Sequence, residues 1–269
     1  MQPLFSLTPE QREVFDRDGM LRVPGFCSPA ILAPMVDALW EDLRRRYSIH
    51  RDRPETWKDA HVAQFQRLVA SGAFDALGPH FSAVADTFIG AGEWDVPPHF
   101  GGPLVTFPTG AWDVPHNVWH FDIPLQGRAM WASAIPVIRT FVILENLESH
   151  GGGTCYVEGS HRVAMDRAKE AADQTLRSAE MKKILAKEEP WFTELFTKGT
   201  ADRERRLMVE GGEVRGVKVK VMEITGKPGD AFIMHPAMFH TIASNARKVP
   251  RMMLVQALNR PGAYAKMLS

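Results

Sequence analysis

The chain has 269 residues, no formal net charge, and ordinary hydrophobic (45%) and charged (24%) fractions, so it can bury one sizeable core and has no overall pull toward nucleic acid or an anionic membrane. Two cysteines, Cys27 and Cys155, exclude a disulfide framework, and no apolar run approaches the ~18 residues of a membrane span. Met1–Glu10 lacks the basic and apolar pattern of a signal peptide, so a cytoplasmic protein is expected.

The first ninety residues read mainly as helices. Thr8-Pro9-Glu10-Gln11 offers a capping Thr, a Pro at the first helical position and a Gln three residues after the cap, and Gly19 is a stop. Met20–Phe26 is a short apolar run, predicted as a strand. Ser28-Pro29 opens a second helix with Ile31, Leu32, Met35, Val36, Leu39 and Leu43 at helical spacing. Pro34 interrupts that pattern as its true start or as a kink. Helical periodicity returns through Val62, Phe65, Leu68 and Val69, then through Phe81, Val84 and Phe88.

From about residue 94 short apolar segments bounded by Gly and Pro take over: Leu104–Phe107, Val118–Asp122, Arg139–Leu147 and Thr154–Val157. Val217, Val219 and Val221 then alternate with polar neighbours, and Asp230–Met234 and Met252–Leu258 follow. Many short strands with turn signals predict a sandwich or jelly roll, mainly β with flanking helices, not a parallel α/β sheet. The charged, helical stretch from Arg162 to Gly212 interrupts this pattern with stripes of Met181, Ile184, Leu185, Trp191, Phe192, Leu195 and Phe196. It reads either as an excursion packed outside the barrel or as a lid over its mouth.

Trp119-His120-Phe121-Asp122 carries the chemistry. On a strand, side chains two residues apart share a face, so His120 and Asp122 point together. His-x-Asp alone also describes a surface histidine beside a solvated aspartate. A second histidine from a distant strand would complete a 2-His-1-carboxylate facial triad, the ligand set of non-heme Fe(II) oxygenases. His240 and His235 compete for that place. Arg251 follows His240 by eleven residues and opens the next strand, where an antiparallel neighbour could bring it beside the metal. A buried guanidinium needs an anion, and a dicarboxylate co-substrate supplies one in bidentate geometry. That spacing favours His240 and leaves His235 as a hydrogen-bonded structural residue. Cys155, on an apolar strand, reads as a small buried hydrophobe.

In these residues the chain resembles the phytanoyl-CoA dioxygenase-like family of Fe(II)/2-oxoglutarate oxygenases. Asp18–Phe26 looks like that family's N-terminal segment, and His120-Phe121-Asp122 its metal motif. Gly152-Gly153-Thr154 through Gly159-Ser160-His161 looks like its Gly-Ser-His stretch. His240, Asn245 and Arg251 fall at its distal spacing. The resemblance implies a single domain over residues 1–269 with a double-stranded β-helix (jelly-roll, cupin-like) core. Residues 1–92 would be its helical N-terminal part, 93–161 and 213–260 the core, and 162–212 the insertion. It implies Fe(II) held by His120, Asp122 and His240, with Arg251 gripping the distal carboxylate of 2-oxoglutarate and O2 completing the reaction. Asn117, Thr106 and Phe141 are further candidates for the co-substrate, each equally readable as packing. His116, Arg128, Trp131 and Arg139 are candidates for a polar or anionic substrate.

Thr241-Ile242 departs from the family's usual Gly-Ser after the distal His, removing a hydroxyl often used on the co-substrate. Gly151 replaces the family's Asn. Halogenating relatives carry a small residue where this chain has Asp122, so hydroxylation or another oxidation of a small molecule is expected, hydroxylation first. The expected partner is that small molecule, with no nucleic acid and no membrane, and the sequence assigns no oligomeric state. Two other readings stay open: a cupin-type metal dioxygenase or isomerase that uses no 2-oxoglutarate, and a jelly-roll binding module without catalysis.

Overall fold

The period-two apolar segments of the C-terminal two thirds form two antiparallel sheets, seen in a computed structural model that describes residues 4–57, 62, 64–126, 135–171, 174–199 and 201–263. In chain order the helices are α1 (Pro9–Asp18), α2 (Pro29–Tyr47), α3 (Gln66–Ala70), α4 (Gly78–Phe88), α5 (Ser160–Glu170), α6 (Ser178–Glu188) and α7 (Pro190–Leu195). The strands are β1 (Met20–Val23), β2 (Gly102–Thr106), β3 (Leu125–Gln126), β4 (Val137–Ile143), β5 (Cys155–Glu158), β6 (Thr175–Leu176), β7 (Gly212–Val214), β8 (Val217–Glu223), β9 (Ala231–Met234), β10 (His240–Thr241) and β11 (Arg251–Asn259). One sheet runs β1-β9-β4-β11-β2 and the other β10-β5-β8-β7, with β3 and β6 as a separate pair.

The capping signals at the N-terminus operate as read. The Thr8 hydroxyl accepts the Gln11 N–H, the Gln11 side chain accepts the Thr8 N–H, and Gly19 closes α1 at φ +79°. Pro34 neither starts nor ends α2, which runs through it from the Ser28 cap. The lost backbone bond is outweighed by burial of Leu32, Met35, Val36, Leu39 and Leu43 on one face. The periodicity around Val62–Val69 yields only the five-residue α3, none of whose residues is fully buried.

Side chains of the first sheet face two ways. Ile138, Val142, Ile233, Met252, Leu254 and Leu258 pack outward against Phe15, Leu39, Phe81 and Val84 of the N-terminal helices. Phe141, Ile143, Phe232, Met234 and Met253 point inward and meet Tyr156 of the second sheet. Burial on both faces explains why β9 and most of β11 are continuously apolar. The insertion's stripe of Met181, Leu185, Phe192 and Leu195 packs on the outer face of the second sheet, against Val157, Val219 and Val221.

His161 and His235 tie α1 to this framework. Their rings lie 4.8 Å apart, His161 Nε2 donates to the Asp16 carbonyl at 3.1 Å, and the His235 N–H donates to the Gly19 carbonyl at 2.8 Å. A Cβ at Gly19 would stand 2.4 Å from His161 Nδ1, so this approach needs glycine. Burial holds the His161 imidazole down to about 4 and His235 well below the ordinary histidine value of 6.5. Between those values the unfolded chain binds protons that the folded one refuses. Stability is therefore complete above about pH 6.5 and falls with pH, by roughly 1.4 kcal/mol per unit per histidine. Denaturant melts at about pH 7.5 and about pH 5 should show this loss, and His161→Asn should shrink it. Equal losses in both proteins would remove His161 as a cause.

Candidate active site

Two distant segments build the site by pairing with each other. The His120 N–H donates to the His240 carbonyl at 3.0 Å and the His240 N–H to the His120 carbonyl at 2.9 Å, an antiparallel bridge that sets both imidazoles side by side. Their ring centroids are 4.3 Å apart. The Asp122 N–H donates to the Pro236 carbonyl at 3.0 Å, two residues out of that register. His120 and Asp122 share a face as their spacing predicts, while Trp119 and Phe121 turn the other way into the core beneath the insertion. The expected strand Val118–Asp122 is reduced to this bridge, because Val118 adopts φ +47° and Pro115 and Pro124 flank it.

One ligand atom from each of His120, Asp122 and His240 lies within 4.8 Å of the others. His120 Nδ1 contacts the Val118 carbonyl at 2.9 Å and His240 Nδ1 the Met238 carbonyl at 3.1 Å. A carbonyl only accepts, so each Nδ1 carries the proton and each Nε2 keeps its lone pair for a metal. Burial pushes the His240 imidazole down to about 4, against the opposing pull of the Asp122 charge, and so keeps it neutral. Val118 is a β-branched residue in the left-handed region, a costly conformation. Its carbonyl is the one that aims His120. Trp119 Nε1 donating to the Pro115 carbonyl (2.8 Å) and Thr241 Oγ1 donating to the Asn117 carbonyl (3.4 Å) hold that turn.

The Asp122 side chain is only 3% exposed, and Arg139 Nε of β4 donates to its Oδ2, leaving Oδ1 3.7 Å from His240 Nε2. Arg139, expected at a polar substrate, is thus paired with the carboxylate ligand. The reason is register: Arg139 lies opposite Met234 and Ala257, so β4 carries it on the inward face with Phe141.

Arg251 begins β11 opposite Thr106 and is buried. Its Nη2 donates to the Thr106 hydroxyl at 2.5 Å, whereas Nε and Nη1 are buried without a partner. Burial pulls its guanidinium down to about 10, with Glu223 pulling the other way, so it stays charged at neutral pH. Two orphaned donors on a buried cation fit an incoming carboxylate. Glu223 is itself held by the N–H groups of His150 (2.7 Å) and Gly153 (3.0 Å).

The remaining candidates divide. Phe141 lies in the inward cluster. Asn117 is exposed and engages Thr241 through its backbone carbonyl, and His116 is half-buried in the loop before it. Arg128 and Trp131 lie outside the described residues. His235 Nδ1 accepts the Ala237 N–H at 3.2 Å, a structural role. Cys155 is fully buried, and burial raises its thiol well above the ordinary value.

Several supports were not legible beforehand. Ser178 of the insertion accepts the Phe121 N–H (3.1 Å) and donates to its carbonyl (2.8 Å). Buried Arg203 donates to the carbonyls of Val114 and, at 2.8 Å, Leu195, bracing the loop before the metal strand. Nothing separates Arg203 from its charged neighbours in sequence. The Gly-Ser-His stretch proves architectural: Ser160 donates to the Val157 carbonyl (2.7 Å) and accepts the Phe239 N–H (3.0 Å), beside His240. Asn245 likewise donates to the Thr106 and Val249 carbonyls, joining β2 to the turn before Arg251.

A sheet protein with flanking helices whose segments bring two imidazoles and one carboxylate to a point, and which also buries an arginine with unpartnered donors, is of the mononuclear non-heme metal class. The chain belongs to the phytanoyl-CoA dioxygenase (PhyH) family, whose sequence model matches residues 15–253. That family works with Fe(II), 2-oxoglutarate and O2, and the donors described above suit all three. No curated protein matches the chain. Among solved structures it is similar to the α-ketoglutarate-dependent carbocyclase SnoK from nogalamycin biosynthesis (17% identity, 96% of this chain and 86% of that chain, TM-score 0.54). It is also similar to HygX from Streptomyces hygroscopicus with nickel and 2-oxoglutarate bound (17%, 95% and 88%, 0.51). EctD from S. alaskensis is a third (16%, 97% and 82%, 0.52). At such identities these likenesses establish the shared fold.

Proposed function

We propose that this protein is a 2-oxoglutarate-dependent oxygenase that hydroxylates an unactivated C–H bond of a small molecule. In this reading the two sheets are the halves of a double-stranded β-helix. His120, Asp122 and His240 hold Fe(II), and Arg251, steadied by Thr106, receives the distal carboxylate of 2-oxoglutarate. The observations that carry the proposal are the clustered His120–Asp122–His240 triad and, in the same chain, a buried Arg251 with two unpartnered N–H donors. A cupin-type enzyme without a dicarboxylate co-substrate has no use for that arginine, and a binding module has none for the triad.

Fe(II), when bound with 2-oxoglutarate and O2, supplies the oxidation that yields succinate and CO2 and removes hydrogen from the substrate. This chain's own residues place and orient. The carbonyls of Val118 and Met238 fix the imidazole tautomers, Arg139 occupies one oxygen of Asp122, and Arg251 anchors the co-substrate away from the metal. A carboxylate at position 122 supports hydroxylation over halogen transfer. Similar folds include a carbocyclase and an epimerase, so the outcome would be set by which substrate C–H bond is presented. Among the described residues no helix is long and apolar enough to cross a membrane, and both cysteines are free and buried, which suits a reducing, cytoplasmic setting. Anaerobic titration of the Fe(II) protein with 2-oxoglutarate should develop a visible metal-to-ligand charge-transfer band. Its absence in protein that binds Fe(II) would reject the proposal.

A further inference from the structure

Beside Arg251 a groove of about 690 Å³ runs between α3 and β2, within the size range of small-molecule sites. β2 is the edge strand of its sheet, and all five of its residues are only partly buried. The groove is lined by Val62, Phe65, Val69, Ala70, Leu104 and Ile242, with Thr106 and Arg251 also in its wall. Val69 is half-exposed and packs in part against the helical core, and Ala70 is exposed.

Ile242, in the groove wall, lies two residues past His240 in sequence and is 64% exposed. Val118, two residues before His120, is 56% exposed. Singly, an exposed aliphatic side chain means little. Here each of the two lies two residues from a metal ligand in sequence, and Ile242 is also groove wall.

Charge narrows the occupant. Arg251 and His99 are the ionisable side chains in the wall among the described residues. His99 is held by Asp75 at 2.9 Å, and Arg251 is assigned to the co-substrate. Arg139, expected to meet an anionic substrate, is on Asp122. Among the described residues, an anion seated here would find no unpaired counter-charge in the wall.

We propose that the groove between α3 and β2 holds the body of the substrate, and that this substrate is a neutral, predominantly apolar small molecule. The proposal rests on the oxygenase reading for its chemistry but not for its binding. The test uses Prodan, a neutral naphthalene dye whose emission shifts to the blue in apolar sites, added to the full-length protein with and without Ni(II) and 2-oxoglutarate. Saturable blue-shifted binding is expected in both states. Ala70→Trp, which fills an exposed position, and Ile242→Asp, which puts a charge at the other end, should each weaken it by roughly tenfold, the loss of one buried apolar contact. 2-Oxoglutarate affinity should stay unchanged in Ala70→Trp. In the wild type, neutral apolar compounds should stimulate succinate formation more than carboxylated analogues of equal size. Equal Prodan affinity in wild type and both variants, or preference for the carboxylated analogues, would overturn the groove assignment. Loss of 2-oxoglutarate binding by the wild type with Prodan binding intact would instead overturn the oxygenase reading and leave the groove standing.

Discussion

Arg251→Ala is expected to weaken 2-oxoglutarate binding by at least roughly 100-fold, because it removes two charge-assisted hydrogen bonds of about 1.5–3 kcal/mol each. The guanidinium is buried, its Nη2 is taken by Thr106, and Nε and Nη1 have no partner. A carboxylate entering there meets donors already desolvated and oriented, so little must be reorganised on binding. Arg251→Lys keeps the charge but loses the planar fork and should fall between the two. Metal binding should survive in both, since Arg251 is no ligand. Calorimetric titration of Ni(II)-loaded protein with 2-oxoglutarate measures this, and thermal melts check that each variant is folded. An unchanged dissociation constant in Arg251→Ala would leave the co-substrate without its anchor and favour a metal enzyme of another kind.

His240→Ala should abolish stoichiometric binding of Ni(II) or Fe(II). Two of three ligands then remain, and one of them, His120, is solvent-exposed. Arg139→Met offers the graded comparison. It leaves every ligand in place and frees only Asp122 Oδ2, so affinity should fall by about 10–100-fold, the usual cost of losing an outer partner of a metal ligand. Arg139→Lys should recover part of that loss. The electronic spectrum of the Co(II)-substituted protein should also change in Arg139→Met, which a purely structural role for Arg139 would not produce. Unaltered Co(II) affinity and spectrum would mean that the Arg139–Asp122 pair plays no part in metal binding. Metal retention by His240→Ala would remove His240 from the ligand set.

The triad was legible because strand alternation is local: His120 and Asp122 two residues apart must share a face wherever the strand goes. Arg251 was legible because a spacing of eleven residues after His240 fits a turn and a new strand start. Sequence also carried the caps at Thr8 and Gly19, the apolar alternation of β8 and the structural fate of His235. It misjudged the length of α3 and the regularity of Val118–Asp122, where tertiary contacts override periodicity.

What the order of residues determined by itself is the chemistry on offer: the residue types, their faces and their approximate strands. Only the tertiary structure decided that Arg139 pairs with Asp122, that Arg203 and Ser178 brace the metal loop from an insertion, and that an apolar groove adjoins Arg251. The physical reason is range. Alternation, capping and turn preference act within a few residues, whereas ion pairs and grooves depend on which strands become neighbours and on the register in which they pair.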